Sequence, residues 1–380
     1  MRLLMISGTF PPMKCGVGEY TETLVTALAR EPGVEVGVLT DCQAAGRAPG
    51  DAFRVFPVIE EWKAREFSKV VSVVREFRPD LVHIQYPTLA YRNWLPWLLP
   101  IRLERLGLPV VQTWHERLFF YRLAKLPMGL ARGGIIVVRP RYLEQLSWRR
   151  RAALRHRQVE FIPNASTIPK AVFAPGEREA LRTSLGPLGK ALVVFFGFFF
   201  EQKGIDDLLE AMDFTHQHLV LMGPVQSDDP YQVRLFERIV KEPLAGHVTI
   251  LGYLPAEKVA QVLALADAVG LPYRHGGGMW NTSLHAAMMQ GTFTLTTSNE
   301  ERGYDARRNV YLSEPGKVPE LREALRKYIG QRNPNPDPAL LPPTWDEVAR
   351  RHLEFYRRFL PPDVGRSRPA KAERASYSTR

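Results

Sequence analysis

The stretch AVGLPYRHGGGMWNTSLHAAMMQGTFTLTTS, residues 268–298, shows most plainly how this chain is built. It predicts a short buried strand, a loop with three adjacent glycines, a helix, and a second strand. The helix should begin near Asn281, Thr282 or Ser283, because these side chains accept hydrogen bonds from the free amides of a first turn. A glycine loop that leads into a helix N-terminus suits a phosphate group. An ordinary capped turn is the simpler interpretation of these residues taken alone.

The same alternation of strand and helix continues on both sides of this stretch. Strands are predicted at 3–7, 34–40, 53–58, 81–85, 110–113, 134–138 and 159–162, and then at 191–196, 219–222, 248–251, 268–271, 293–297 and 310–312. Helices are predicted at 19–30, 205–212, 231–240, 257–266, 283–289, 318–329 and 345–360. Because the strands are apolar throughout and helices separate them, the chain belongs to the α/β class, with parallel sheets covered on both faces.

A length of 380 residues favours two domains. The first is predicted at 1–168 and the second at 188–332, because a proline-rich segment (163–190) with a small helix separates them. The final amphipathic helix, 345–360, has aromatic residues to bury, and the linker before it lets it return to the first domain. The basic tail 361–380 has almost no apolar residues and is predicted to be disordered.

Composition excludes several classes of protein. Cys15 and Cys42 make neither a disulfide framework nor a zinc site, and no apolar run approaches the roughly eighteen residues of a membrane span. A cytoplasmic protein without structural metal is expected. The net charge of +11 favours acidic partners. The arginine run Arg149–Arg151 lacks an interleaved aromatic motif, so it is interpreted as a solvated face and no nucleic acid partner is expected.

The loops after the strands are the candidate ligand sites, because parallel sheets bind ligands at the carboxyl ends of their strands. Gly16 and Gly18 open the helix after the first strand and could let a ligand approach the backbone, although their spacing is not a dinucleotide fingerprint. His115 directly follows the fifth strand. A structural histidine is the alternative, but this position favours a functional one.

A series of short motifs now supports a resemblance. In chain order they are Phe10-Pro11-Pro12, Cys15-Gly16-Val17-Gly18-Glu19-Tyr20, Pro79-Asp80-Leu81-Val82-His83, His115-Glu116, Ile162-Pro163-Asn164, Phe196-Gly197 through Lys203-Gly204, Leu221-Met222-Gly223, Gly252-Tyr253-Leu254-Pro255, Ala266-Asp267, Leu271-Pro272 and Gly291-Thr292. Over residues 1–360 the chain resembles the retaining, nucleotide-sugar-dependent glycosyltransferases of family 4. The resemblance implies a GT-B fold, in which two Rossmann-like domains face a central cleft and a C-terminal helix returns to the N-terminal domain.

The resemblance also implies site residues. His115 would lie near the reacting sugar or the acceptor hydroxyl, and Lys203 would neutralise the diphosphate leaving group. The backbone at Gly16 and Gly18 would approach the donor diphosphate or the acceptor. The remaining donor contacts would be Gly252, Tyr253 and Leu254 at the nucleobase and Gly278, Asn281, Thr282 and Ser283 at the diphosphate and sugar, with Arg274 or His275 as an additional positive charge.

Three departures from the family pattern concern the donor site. Phe198 stands where relatives commonly have an arginine, and loss of that charge-assisted contact costs about 1.5–3 kcal/mol. Gly278 and Ala286 stand where relatives carry a pair of glutamates. The family mechanism is a front-face displacement in which the departing diphosphate helps to deprotonate the acceptor. It needs no protein nucleophile, and no cofactor or obligatory metal is inferred.

The predicted function is transfer of a hexosyl group from a nucleoside diphosphate sugar to a glycan, lipid or small-molecule acceptor with retention. The alternatives are a GT-B-like binding or scaffold protein that has lost catalysis, and a nucleotide-sugar epimerase. Segments 91–107 and 118–126 mix aromatic with basic residues, so a peripheral contact with the inner face of a membrane is considered. Ordinary sheet-covering helices are slightly preferred for both segments.

Overall fold

The structure, a computed structural model, describes residues 1–45, 52–88, 90–116, 129–278 and 280–362. The chain forms two compact units, Met1–Ile162 together with the segment from Trp345 onward, and Pro163–Thr344. The segment predicted as a linker therefore belongs to the second unit, which begins at Pro163 rather than at residue 188. The predicted disordered tail from residue 363 on, and the segment 118–126, lie outside the described residues.

The first unit has a seven-stranded parallel sheet with the order β3-β2-β1-β4-β5-β6-β7. Its strands are β1 (Arg2–Ile6), β2 (Glu35–Asp41), β3 (Arg54–Ile59), β4 (Leu81–Tyr86), β5 (Val110–Trp114), β6 (Gly134–Val137) and β7 (Val159–Phe161). All seven were predicted to within two residues at each end. The central strands are buried on both faces, and this burial is the reason for their continuous apolar pattern.

The helices of the first unit cover this sheet. Those that the structure describes from end to end are α1 (Gly16–Ala29), α2 (Phe67–Phe77), α3 (Leu95–Arg105), α4 (Trp148–Leu154) and α11 (Trp345–Arg357). Helix α11 packs against α1, so the predicted return of the last helix to the first unit is confirmed. Helix α3 buries Leu95, Leu99 and Leu103 in the core. Its apolar residues therefore cover the sheet. This agrees with the preferred interpretation of segment 91–107 as a sheet-covering helix rather than a membrane contact.

The second unit has a sheet with the order β10-β9-β8-β11-β12-β14-β13. Its strands are β8 (Ala191–Phe196), β9 (Gln217–Met222), β10 (Val248–Gly252), β11 (Ala268–Leu271), β12 (Thr294–Thr297), β13 (Gly303–Asp305) and β14 (Val310–Ser313). Strand β13 was not predicted, and it pairs with β14 antiparallel, so this sheet is not purely parallel. Three half-buried residues at a sheet edge give no periodic signal.

The helices of the second unit follow the predicted pattern. They are α5 (Glu177–Leu185), α6 (Ile205–Ala211), α7 (Pro230–Ile239), α8 (Ala256–Leu265), α9 (Thr282–Met289) and α10 (Val318–Tyr328). Asn281 caps α9, because its side-chain oxygen accepts a hydrogen bond from the amide of Ser283. The helix predicted from the opening stretch is therefore confirmed at both ends.

Each sheet has a point at which the strand order reverses. The first strand of each unit, β1 or β8, has the next strand on one side and a later strand, β4 or β11, on the other. In open α/β sheets ligands bind at the carboxyl ends of the strands, at the point where the strand order reverses. The reversal point is therefore the expected position of a ligand site in each unit.

Candidate functional site

In the second unit the loops after β8 and β11 touch each other at the reversal point. The amide of Arg274 donates to the carbonyl oxygen of Gln202 at 3.0 Å. Gly204 has a φ of +74°, and a Cβ atom there would lie 2.0 Å from the carbonyl oxygen of Pro272. Only glycine permits both this conformation and this close approach. The position of the preceding residue, Lys203, is fixed by these contacts.

Lys203 lies over an aromatic ring that follows β11. Its Nζ is 4.6 Å from the ring centroid of Tyr273, within the range of a cation–π contact. The hydroxyl of the buried Tyr273 donates to Oδ1 of Asn281 at 3.0 Å. Burial raises the pKa of Tyr273, so the phenol keeps its proton. Tyr273 thus connects the lysine of one loop to the cap of α9.

The start of α9 presents a hydroxyl to the surface. Oδ1 of Asn281 accepts from both Tyr273 and the amide of Ser283, so this oxygen serves the cap. Thr282 is exposed. A Cβ atom at Gly197 would lie 3.6 Å from Oγ of Ser283, so the loop after β8 passes beside the first turn. The structure therefore brings Lys203, Thr282 and Ser283 to one edge of the sheet.

Arg274, which with His275 was a candidate for the additional positive charge, is paired with carboxylates in the structure. Its guanidinium group lies 3.2 Å from a carboxylate oxygen of Glu201 and 3.1 Å from one of Asp207. A third carboxylate, that of Asp206, lies 3.8 Å away. These acids balance its charge, because each ion pair offsets the field that a phosphate would otherwise meet. The residue anchors the loop after β11 to the start of α6.

The predicted nucleobase contacts lie at the end of β10, two strands away from β8. The amide of Gly223 donates to the carbonyl oxygen of Gly252 at 2.9 Å and so joins the ends of β9 and β10. A Cβ atom at Gly223 would lie 1.9 Å from the carbonyl oxygen of Gly197, so the three strand ends form one close-packed row. Tyr253 is 56% exposed, whereas Leu254 packs on the core.

The three departures from the family pattern have structural counterparts. Ala286 is fully buried inside α9, and a Cβ atom at Gly278 would lie 2.1 Å from the ring of Trp280. A longer side chain at position 286 would have to enter the packed core, and one at position 278 would require the ring of Trp280 to move. Phe198 stacks on Phe200, with ring centroids 5.6 Å apart and planes 7° from parallel. This edge of the second unit therefore lacks the two carboxylates and has an aromatic pair in place of the arginine.

In the first unit His115 lies at the carboxyl end of β5. Its amide donates to the carbonyl oxygen of Tyr86 at 2.7 Å, and its ring meets the ring of Tyr20 edge-on at 4.6 Å. Tyr20 in turn contacts Trp345, the first residue of α11, at 5.2 Å. Nε2 of His115 lies 2.8 Å from Oε1 of Gln85. Three elements of the unit thus fix the orientation of this imidazole.

His115 belongs to a cluster of neutral histidines. Burial, with a further effect of His352, lowers the pKa of His115 to about 3. Burial likewise lowers the pKa of His352 to about 4 and that of His83 well below its ordinary value. Nδ1 of His83 lies 2.6 Å from the hydroxyl oxygen of Tyr356, and its Nε2 lies 2.7 Å from that of Thr113. At neutral pH His115 therefore forms hydrogen bonds as an uncharged ring.

The two glycines at the start of α1 have different surroundings. A Cβ atom at Gly16 would meet nothing within 4 Å, so this backbone borders open space. A Cβ atom at Gly18 would lie 3.2 Å from the carbonyl oxygen of Thr9. Gly18 therefore serves the packing of the chain on itself, and Gly16 is the better candidate for a ligand contact. Partial burial and then the neighbouring Glu22 raise the pKa of Glu19 in the same turn.

Sequence reasoning gave no role to three residues that the structure places at these strand ends. Tyr273 links Lys203 to α9, Gly223 permits the packing of the strand ends, and Gln85 holds His115. Each lies at or directly after the carboxyl end of a strand. Their position at the strand ends could have identified them as candidates from the sequence, since ligand-binding residues of parallel sheets concentrate there.

Neither a membrane span nor a metal-binding cluster is present among the described residues. None of the described helices combines the length and the apolar character that crossing a membrane requires. Within the same ranges, no group of three or more histidine, cysteine, aspartate or glutamate side chains is placed to hold a metal ion.

Comparison with known proteins agrees with the geometry. A model described as a glycosyl transferase 4-like domain matches residues 15–195, and one described as glycosyl transferases group 1 matches residues 177–337. A search of the curated proteins finds no significant match.

Solved structures share the fold at low identity. Sucrose-phosphate synthase from Thermosynechococcus elongatus superposes with a TM-score of 0.71 at 17% identity, over 94% of this chain and 98% of its own. HepE from Anabaena, in complex with UDP-glucose, superposes with a TM-score of 0.70 at 16% identity, over 94% of this chain and 100% of its own. The catalytic domain of starch synthase IV from Arabidopsis thaliana, bound to ADP and acarbose, superposes with a TM-score of 0.63 at 15% identity, over 94% of this chain and 99% of its own.

Proposed function

Because the chain belongs to the family 4 glycosyltransferases of the GT-B fold, we propose that it moves a hexosyl group from a nucleoside diphosphate sugar to an acceptor with retention of anomeric configuration. Two of its structural relatives support a donor of this class, since one is described with UDP-glucose and another with ADP and acarbose. The observation that carries the proposal is the placement of Lys203 and the start of α9 at the reversal point of the second sheet.

The donor diphosphate is proposed to bind at this edge of the second unit. Lys203 supplies the positive charge, held above Tyr273 at 4.6 Å. The N-terminus of α9 adds the favourable end of a helix dipole, and the exposed Thr282 adds a hydroxyl group. Charge that develops on the leaving diphosphate is stabilised by groups already in position, which lowers the barrier to departure. Gly252, Tyr253 and Leu254 are the proposed nucleobase contacts.

His115 is the proposed catalytic contact of the first unit. A neutral imidazole can exchange hydrogen bonds with a sugar or acceptor hydroxyl without the desolvation cost of a charge. The proton of the acceptor is proposed to pass to the departing diphosphate oxygen, so that no carboxylate nucleophile or metal ion is required. The sugar is proposed to be held by neutral groups, because Gly278 and Ala286 bring no carboxylate to this edge.

The proposed acceptor is a glycan, a lipid-linked molecule or a small molecule. A lipid-linked acceptor would be bound at the cytoplasmic face of a membrane. Helix α4 supports a peripheral membrane contact, because Trp148 is 73% exposed, Arg149 and Arg151 are exposed on the same short helix, and Arg155 is exposed directly after it. Each basic residue near an anionic bilayer contributes about 1 kcal/mol. Sedimentation with anionic but not neutral vesicles, abolished by Trp148→Ala with Arg149→Glu, is the expected result.

The test of the main proposal is release of nucleoside diphosphate from a panel of nucleotide sugars with mixed acceptors, measured with and without EDTA. We expect release with one donor, unaffected by EDTA, and a product whose anomeric proton coupling in NMR matches that of the donor. Donor binding without release for any acceptor would favour the scaffold alternative. Conversion of the donor to an epimer without acceptor would favour an epimerase. No response to any donor would refute the proposal.

A further inference from the structure

We propose that Gln85 is a positioning residue that keeps His115 in the tautomer with its hydrogen on Nε2, so that Nδ1 is a permanent hydrogen-bond acceptor for a hydroxyl of the substrate. This inference rests on the proposed role of His115 as a contact of the reacting groups. In this contact the substrate hydroxyl donates the hydrogen bond and Nδ1 of the imidazole accepts it.

The orientation of the Gln85 amide follows from its other neighbours. Its Nε2 lies 3.1 Å from Sδ of Met5 and 3.5 Å from Nε2 of His83. A thioether has no hydrogen to donate and accepts only weakly, so the NH2 group faces it more favourably than an amide oxygen would. The amide oxygen Oε1 must then face His115. Because Gln85 is fully buried, no solvent competes for either end of the amide.

The protonation of His115 follows from the amide. Oε1 of Gln85 has no hydrogen, so the ring nitrogen 2.8 Å away must be the donor, and in a neutral imidazole the other nitrogen then carries the lone pair. The described residues give Nδ1 of His115 no hydrogen-bond partner. The ring is only partly buried, so its second nitrogen is the side that a ligand can satisfy.

The surroundings keep this imidazole uncharged. Among the described residues, the titratable side chains that contact the ring or act on its charge are Tyr20 from α1, His83 from β4 and His352 from α11. None of these three supplies a negative charge at neutral pH, because burial raises the pKa of Tyr20 and the two histidines are neutral. An imidazolium at this position would donate from both nitrogens, and Nδ1 would then repel a hydroxyl hydrogen.

Gln85→Leu and Gln85→Glu test the proposal in the full-length protein. Leucine removes the acceptor for Nε2–H. Glutamate keeps an acceptor and adds a charge that stabilises imidazolium, so it should raise the pKa of His115 into the measurable range. Gln112→Leu is the matched control, because Gln112 is an equally buried glutamine on the next strand whose Oε1 accepts from the indole of Trp114 at 3.1 Å.

The primary measurement is long-range nitrogen–proton NMR of the histidine side chains without substrate, which identifies the protonated ring nitrogen. We expect His115 to show Nε2–H in the native protein and after Gln112→Leu, and a mixture of tautomers after Gln85→Leu. An Nδ1–H signal in the native protein, or an unchanged His115 spectrum in Gln85→Leu, would overturn the proposal whether or not the protein turns over a donor.

The kinetic measurement is the pH profile of kcat/KM with the donor that gives nucleoside diphosphate release in the proposed assay. Gln85→Leu should lower kcat/KM by about tenfold at every pH, the effect of about 1.4 kcal/mol. Gln85→Glu should retain most activity at high pH and lose it as the pH falls, because protonation removes the Nδ1 lone pair. A flat profile for Gln85→Glu, or equal losses in Gln85→Leu and Gln112→Leu, would contradict the assigned role.

Discussion

Replacing Tyr273 separates the two contacts that this residue makes. Tyr273→Phe removes the hydroxyl that donates to Asn281 at 3.0 Å but keeps the ring beneath Lys203. The net loss of one such hydrogen bond is about 0.5–1.5 kcal/mol, and it should appear in the unfolding free energy. Tyr273→Leu also removes the ring, and with it a cation–π contact of about 0.5–2 kcal/mol that holds Lys203 in place.

The donor affinity should therefore distinguish the two variants. If the ring positions Lys203 for the diphosphate, Tyr273→Leu should weaken binding roughly 2- to 30-fold, because 1.4 kcal/mol corresponds to a tenfold change in Kd. Tyr273→Phe should change Kd much less. Isothermal titration calorimetry with the nucleoside diphosphate measures this directly, and urea denaturation measures the stability of the same samples.

A matched pair elsewhere in the second unit provides the control. Nζ of Lys327 lies 5.2 Å from the ring centroid of Tyr328 on α10, outside the proposed site. Tyr328→Leu should lower stability without changing Kd. In a Lys203→Met background, Tyr273→Leu should have no further effect on Kd, since the two residues act together. An unchanged Kd in Tyr273→Leu alone, or an equal loss in Tyr273→Phe, would refute the argument.

Three further predictions concern charge, pH and the open glycine. Lys203→Ala should lower kcat by roughly 10²–10³, as expected for loss of a group that stabilises a leaving oxygen, whereas Lys327→Ala should leave kcat unchanged. The folded-state pKa values of His115 and His352, about 3 and 4, lie below the ordinary 6.5. The unfolded chain therefore binds more protons, and stability falls as the pH drops below about 6.5, by about 2 kcal/mol per histidine at pH 5. His352→Leu should reduce this acid sensitivity in urea denaturation at pH 8 and pH 5, and an unchanged pH dependence would contradict the assignment. Gly16→Ala meets open space, so it should preserve or raise stability while raising the donor Kd or the acceptor KM, and unaltered kinetics would remove Gly16 from the site.

Most of the fold could be predicted from the sequence because its elements are buried in regular patterns. The strands of both sheets lie between covering helices, so their apolar runs are continuous and their ends are marked by polar or glycine residues. The cap of α9 at Asn281 was equally visible, since a capping side chain acts on its own turn. Strand β13 was missed because its pairing with β14 depends on a neighbour rather than on its own three residues.

The contacts within the sites could not be predicted in the same way. Arg274 or His275 was expected to supply an additional positive charge, and the structure pairs Arg274 with Glu201 and Asp207, which are 73 and 67 residues away in the chain. Gln85 and His115 belong to neighbouring strand ends, and their hydrogen bond depends on which way both side chains turn at the edge of the sheet. Sequence spacing indicates which loops meet but not which side chains within them do.

The most direct test of the central claim is a crystal structure of the full chain with the nucleoside diphosphate of the donor that gives turnover. The account predicts diphosphate oxygens within hydrogen-bonding distance of Nζ of Lys203 and of the first turn of α9 at Thr282, with the base beside Gly252. Diphosphate bound elsewhere on the second unit, with Lys203 still resting on Tyr273 and making no contact to it, would contradict the account.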